Sequence, residues 1–288
     1  MLKRAAALLL ALVLTAALCL SAAADHEGFE APADSQRLRV YFDGLLSCTG
    51  YACGSEYYLP LSPLCMLKGI RLSSTPAEDG ALHIKGMGFE LSALSGQEYL
   101  TVNGRYVYAP GGVFLLRGEL YVPLITAERI FGIHLRADEE KLCLYADTHG
   151  LSLIAGGEEY YSALASVEDY FWLSRIIYAE AGQQSMEAML AVGQVVLNRL
   201  EDSRFPSTVF AVVFDRNGGM QFTPVENGSV YYEPSPAAQA AAYMCYEGYD
   251  IVGDSLYFVN PAYGNAGWFS ANKVYFATVG DHDFYVDG

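Results

Sequence analysis

Glu180 stands where an acidic residue is out of place. Between Val167 and Ala181 the apolar residues Leu173, Ile176 and Ile177 recur at the spacing of one helical face, and Glu180 falls on that same face. Burying an ionised carboxylate among apolar side chains is costly unless it is paired. Gly182 follows almost at once and should stop the helix, which puts Glu180 at the negative end of the helix dipole. Both effects disfavour the charged form and predict a raised pKa. A carboxylic acid still protonated near neutral pH is what glycosidic cleavage requires, because it must give a proton to the leaving oxygen as the sugar gains oxocarbenium character. The alternative is a structural ion pair with Arg175 or Arg199, and pattern alone leaves the two readings open.

The elements that must position this acid are legible around it. A second helix should begin after Ser185, a good N-cap, with Glu187 in its first turn. Met189, Val192, Gly193, Val196, Leu197 and Leu200 then mark a core face, and Gly193 in its middle predicts close helix–helix approach. Asn198 and Arg199 read as tie-points. Phe205-Pro206-Ser207-Thr208 starts a short helix to about Phe214, and Asn217-Gly218-Gly219 turns the chain. Ser235 as cap, Pro236 at the first position and Gly248 at the end signal another helix. Ser255 to Val259, Val274 to Thr278 and Asp283 to Val286 read as strands.

The first half has a different texture. From Arg37 to about Asp147 it is β-rich, with alternating runs at Leu38 to Phe42 and Lys141 to Tyr145. Asp43-Gly44, Asn103-Gly104 and Arg117-Gly118 mark tight turns. An internal repeat is present: Tyr57 to Leu61, a helical stretch and Gly69 to Leu72 recur as Leu120 to Leu124, a helical stretch and Gly132 to Leu135. This pattern resembles the copper amine oxidase N-terminal-like domain over residues 37–147, a stalk on secreted bacterial proteins. His83 and His134 are far apart, so no tight ligand cluster is expected there, and the module reads as a spacer or wall-interaction unit. Gly150, Gly156 and Gly157 are the expected flexible points of a short join to a second domain at 165–287.

At the N-terminus, Lys3-Arg4, an apolar run from Ala5 to Leu20 and Ala22-Ala23-Ala24 read as a secretory signal peptide over residues 1–24. No later segment is long enough to span a membrane. Seventeen lysines and arginines, two of them in that signal, stand against 33 acidic residues, a balance that argues against nucleic acid and anionic membrane surfaces as partners. Cys48 and Cys53 are spaced to close a small loop, with a disulfide and free thiols both open. Cys65, Cys143 and Cys245 lie in apolar stretches and read as core residues.

Several ordered motifs of the second half carry a resemblance. Tyr178-Ala179-Glu180-Ala181-Gly182, Ala191 to Arg199, Phe205-Pro206, Gln221-Phe222-Thr223, Leu256 to Pro261, Trp268 and Gly280 to Phe284 resemble the catalytic domain of the spore cortex-lytic enzyme SleB family. Where many members have Arg-Gly-Glu after the motif alanine, this chain has Gly182-Gln183-Gln184. The resemblance implies a lysozyme-like, mainly helical domain with a small β-sheet, so the fold class expected for the whole chain is α+β. It implies a secreted lytic transglycosylase cutting the MurNAc–GlcNAc bond of peptidoglycan in spore cortex or cell wall, with Glu180 as its single acid and base. Gln221, Thr223, Asn260, Trp268 and His282 are then candidates to bind sugar. Each has a plainer alternative: Trp268 as a core aromatic, Asn260 before Pro261 as a turn former, His282 as an orderer of the last turn. No cofactor or metal is implied. Members of the family have also been labelled N-acetylmuramoyl-L-alanine amidases, which would need zinc or a Cys245–His282 pair here. A catalytically inactive wall-binding or germination scaffold is the non-enzyme alternative.

Overall fold

A computed structural model describes residues 32–76, 80–94, 96–217, 221–263 and 266–288. The expected signal peptide lies outside the described residues, as do Gly218 and Gly219 of the expected turn. The chain divides into two units, the first ending at Glu158 and the second starting at Glu159. That division lies inside the stretch expected to be a join. Among the described residues no helix is long and apolar enough to cross a membrane.

The first unit begins with strands β1 (Gln36–Phe42), β2 (Leu45–Cys53) and β3 (Glu56–Pro60), followed by helix α1 (Leu61–Leu67). A meander follows: β4 (Ser73–Pro76), β5 (Leu82–Gly86), β6 (Phe89–Ala93), β7 (Tyr99–Val102) and β8 (Arg105–Tyr108). Then come β9 (Phe114–Leu116), β10 (Glu119–Pro123), α2 (Leu124–Phe131), β11 (His134–Asp138) and β12 (Cys143–Asp147). The strands form a seven-stranded sheet in the order β11-β12-β1-β2-β3-β10-β9 and a five-stranded sheet β4-β5-β6-β7-β8. In the larger sheet β1 and β12 run parallel, with Arg39 opposite Cys143. Alternation dictates this packing: Leu38, Val40 and Phe42 point inward from β1 while Arg37 and Arg39 face out.

The three expected tight turns are hairpin turns, and Asp43, Asn103 and Arg117 take φ values of 50°, 51° and 53° ahead of their glycines. The repeat is real but local. β3–α1 and β10–α2 are equivalent strand–helix pairs, and β3 and β10 are antiparallel neighbours with Leu59 opposite Val122. The strands that follow diverge, since β4 joins the smaller sheet and β11 the larger. Gly69 to Leu72, expected as a strand, only leads into β4.

One alternative left open above is decided by β2. Cys48 and Cys53 are free thiols. Both lie on β2, where five residues of extended chain separate their Cα atoms by about 16 Å, far beyond the roughly 7 Å a disulfide tolerates. Part of the expected join packs within the first unit. Leu151 and Ile154 are buried, and the N–H groups of Ser152 and Ile154 donate to the carbonyls of Phe131 and Ile130, each at 2.9 Å. The Gly157 N–H donates to the Asn103 carbonyl at 2.9 Å.

The second unit is mainly helical. It comprises α3 (Gly157–Leu164, whose first two residues precede the division), α4 (Val167–Ala181), α5 (Met186–Glu201), α6 (Val209–Val213), α7 (Thr223–Asn227), a 3-10 turn at Ser229–Tyr231, α8 (Pro236–Cys245) and α9 (Ala266–Asn272). Strands β13 (Tyr257–Val259), β14 (Val274–Val279) and β15 (His282–Val286) form an antiparallel sheet in the order β13-β15-β14. Thus the chain is α+β, β-rich first and helical after.

Three helices pack around Gly193. A Cβ there would collide with the Cys245 Sγ of α8 and lie 2.8 Å from the Ile177 Cδ1 of α4. This is the close approach that the glycine predicted, and α4, α5 and α8 form the core of the unit through it.

Candidate active site

Helix α4 opens on Ser166, whose side chain accepts from the Asp169 N–H while the Asp169 carboxylate accepts from the Ser166 N–H. This reciprocal cap fixes the start of the helix and hence the phase of every later side chain. Leu173, Ile176 and Ile177 are each fully buried, and Glu180 continues their stripe as a half-buried carboxylate. The helix ends at Ala181, with the Gly182 N–H donating to the Tyr178 carbonyl at 3.0 Å. A Cβ on Gly182 would clash with the Tyr178 ring and carbonyl, so the stop is tied to glycine.

Burial alone pushes the Glu180 carboxyl up to about 7. Among the described residues no hydrogen bond or ion pair reaches it. Both arginines proposed as structural partners are engaged elsewhere. Arg175 pairs with Glu233 at 2.9 Å and lies 3.6 Å over the Phe171 ring. Arg199 is buried, donates from Nε to the Leu256 carbonyl at 2.8 Å, and packs among the rings of Phe205, Phe222 and Tyr257. Burial lowers its pKa to about 10. What remains at the end of α4 is a protonatable acid with no counter-charge among the described residues.

The candidate sugar-binding residues fall in two groups. Gln221 and Thr223 flank Phe222, which packs on Phe258 at 6.0 Å between ring centres. Phe258 in turn meets the His282 ring edge-on at 5.1 Å. Gln221 is half-buried and donates to the Asn217 carbonyl at 3.0 Å, whereas Thr223 is exposed at the first turn of α7. Asn260, just past β13, accepts the Ala262 N–H at 2.9 Å through its side chain, the turn-forming role expected ahead of Pro261. His282 is only 4% exposed, its Nδ1 has no hydrogen-bond partner among the described residues, and burial lowers its pKa against the pull of Asp281 and Asp283. Trp268 belongs to the other group, on α9. It is 49% exposed and meets Phe269 edge-on at 5.2 Å, while Phe269 packs on Tyr257 and Tyr285.

Two features escaped the sequence reading. Gln184, in the segment that departs from the family pattern, accepts the Asp281 N–H at 2.8 Å and so ties the exit of α4 to the β14–β15 turn beside His282. A polar residue just past a glycine stop was the available signal. Trp172, two turns before Glu180, centres an aromatic cluster with Phe171, Phe210, Phe214 and Tyr231. Phe171, Phe210 and Tyr231 each leave 44% or more of their surface exposed. These rings are dispersed in sequence, and only the fold gathers them.

Cys245 offers no nucleophile. Its thiol sits between α8 and α5, donates to the Leu190 carbonyl at 3.8 Å, and is pushed up to about 12 by burial. Among the described residues, the one group of three histidine, cysteine or acidic side chains with ligand atoms within 4.8 Å of each other is Asp43, Asp147 and His149, exposed in the first unit. The separation of His83 and His134 gave no hint of it, because β1 and β12 pair across the sheet.

Residues 183–285 match the Cell Wall Hydrolase family, and Glu180 lies just ahead of the matched segment. The spore cortex-lytic enzyme of Oceanobacillus iheyensis is 35% identical over 103 residues, 36% of this chain and 36% of that protein. That of Bacillus subtilis is 32% identical over 103 residues, 36% of this chain and 33% of that protein. The chain thus spans about a third of the length of the curated relatives it matches. Among solved structures, the catalytic domain of the germination-specific lytic transglycosylase SleB from Bacillus anthracis is 29% identical, with a TM-score of 0.39 over 42% of this chain and 97% of that one. Residues 183–285 thus match the Cell Wall Hydrolase family, and over 103 residues the chain is similar to the spore cortex-lytic enzymes.

Proposed function

We propose that the second unit cleaves peptidoglycan as a lytic transglycosylase, cutting the MurNAc–GlcNAc bond with Glu180 as its only acid and base. The observation that carries this reading is the unpaired carboxyl of Glu180, held near a pKa of about 7 at the end of a buried helical stripe. In the first step the carboxylic acid gives its proton to the glycosidic oxygen as the bond from C1 breaks. The resulting carboxylate then takes the proton of the muramic acid 6-hydroxyl, whose oxygen closes onto C1 to leave an anhydro end. Nothing in this scheme needs a second carboxylate, and Glu187 is exposed in the first turn of α5. Trp268 and the rings around Trp172 are suited to stacking on sugar faces, and Thr223 to bonding their hydroxyls. Gln221 and Asn260 are further candidates to bond sugar hydroxyls or N-acetyl groups, and the buried His282 packs edge-on against Phe258. The substrate is wall or cortex glycan, and the protein acts in the cell wall or spore envelope after export.

The amidase alternative is less well supported, since Cys245 is buried and aimed at a carbonyl. Mass spectrometry of soluble fragments tests the proposal, with the protein and its Glu180→Gln variant each acting on cortex and vegetative peptidoglycan. Anhydromuramic ends from the parent and none from the variant are expected. Free stem peptides with intact glycan would establish an amidase, and no products from either wall would establish an inactive scaffold.

A further inference from the structure

The first unit contains a cavity of about 310 Å³ between β2, α1 and the β9–β10 hairpin, remote in sequence from the hydrolase domain. At roughly 30 Å³ per water it has room for about ten waters, which suits a small ligand and not a glycan chain. Tyr51 and Tyr121 line it, set edge to face at 5.2 Å, and Met66 adds an apolar contact. Glu119 lies among them. Its carboxylate accepts the Ser62 N–H at 2.9 Å, and the Ser62 hydroxyl and Leu61 N–H also bond to it, yet no basic side chain among the described residues pairs with it. Burial outweighs those bonds and pushes its carboxyl up to about 7. Arg37 and Arg117 also line the cavity and are exposed; neither guanidinium is held in a hydrogen bond or ion pair among the described residues.

One anchored carboxylate without a basic partner, two unengaged guanidiniums and two aromatic rings lining one cavity form a matched set. A neutral sugar would leave all three charges unused. A simple anion would meet Glu119, and a simple amine would meet the arginines. We infer that the cavity binds a small zwitterion, an amino acid or dipeptide with both termini free, its ammonium on Glu119, its carboxylate on Arg37 or Arg117 and its side chain against Tyr51 and Tyr121. Charge-assisted bonds at both ends supply the specificity, and the partly apolar surroundings strengthen them.

Isothermal titration calorimetry on the whole protein tests this with alanyl-leucine in its L,L and D,D forms, beside the N-acetylated and C-amidated derivatives. One enantiomer of the free dipeptide should bind, and blocking either terminus should weaken it by at least about tenfold. Glu119→Gln keeps an acceptor for the Ser62 N–H and should erase the penalty of acetylation, while Arg37→Met with Arg117→Met should erase the penalty of amidation. Equal affinity for free and blocked forms would overturn the inference without recourse to any variant. So would the absence of binding by either enantiomer at about 10 mM, the limit of even a weak specific site.

Discussion

Replacing Glu180 by glutamine should stabilise the second unit, and only at the pH where its carboxyl is forced to ionise. In the unfolded chain this group titrates at its ordinary value of 4.5, and in the folded protein at about 7. Between those values the folded state holds a proton that the unfolded state has released. Stability therefore falls as pH climbs through that window, and the loss is complete above about 7. At about 1.4 kcal/mol per pH unit the ceiling is about 3 kcal/mol. Residual solvent exposure of the half-buried side chain reduces this to the order of 2 kcal/mol. In a unit of this size that corresponds to a rise in melting temperature of about 7 °C for the glutamine variant at pH 8. At pH 5, only half a unit above the unfolded value of 4.5, the difference should shrink to about a quarter, roughly 2 °C. Scanning calorimetry on both proteins at the two pH values reads the difference, and Glu119, which titrates in the same range, cancels from it. An equal difference at pH 5 and pH 8 would refute the argument, and so would a variant less stable than its parent at pH 8. Either would mean that Glu180 has a counter-charge.

Other expectations follow from the same geometry. The kcat/KM on solubilised glycan should fall about tenfold per pH unit above about 7, as the acid form of Glu180 is lost; a rate still rising at pH 9 would exclude it as the proton donor. Gly193→Ala should cost about 1–3 kcal/mol despite alanine's better helix propensity, because the new methyl meets Cys245 and Ile177, and adding Cys245→Ala should restore part of the loss in a chemical denaturation cycle. Alkylation of the denatured, unreduced protein should label Cys48, Cys53, Cys65, Cys143 and Cys245 alike, and protection of any pair would reveal a disulfide.

Helical periodicity and capping chemistry were the most legible parts of the sequence. α4 runs from Val167 to Ala181 as its apolar spacing and Gly182 required, and α5 starts on Ser185 as expected. Gly193 announced a helix crossing because glycine inside a helix is costly unless something occupies its missing side chain's place. The less legible elements were short ones. α7 and α9 are five and seven residues long, too brief to show a period, and their boundaries depend on tertiary contacts. α3, hidden behind two glycines, was taken for part of a join because its start is fixed by the distant Asn103 carbonyl. Pairing across a sheet was equally invisible, and it is what places Asp43 beside Asp147 and aligns Cys48 and Cys53 on one strand. The position of Glu180 on a buried face could be read directly. Its lack of a partner could not, because that depended on where Arg175 and Arg199 point.

The most direct test of the central claim is digestion of purified peptidoglycan in water enriched with oxygen-18, with mass spectrometry of the new muramic acid ends. A single acid that turns the 6-hydroxyl onto C1 predicts anhydro ends carrying no label from the parent protein, and no new ends from Glu180→Gln. Reducing ends carrying one labelled oxygen would show water as the nucleophile and contradict the lytic transglycosylase assignment.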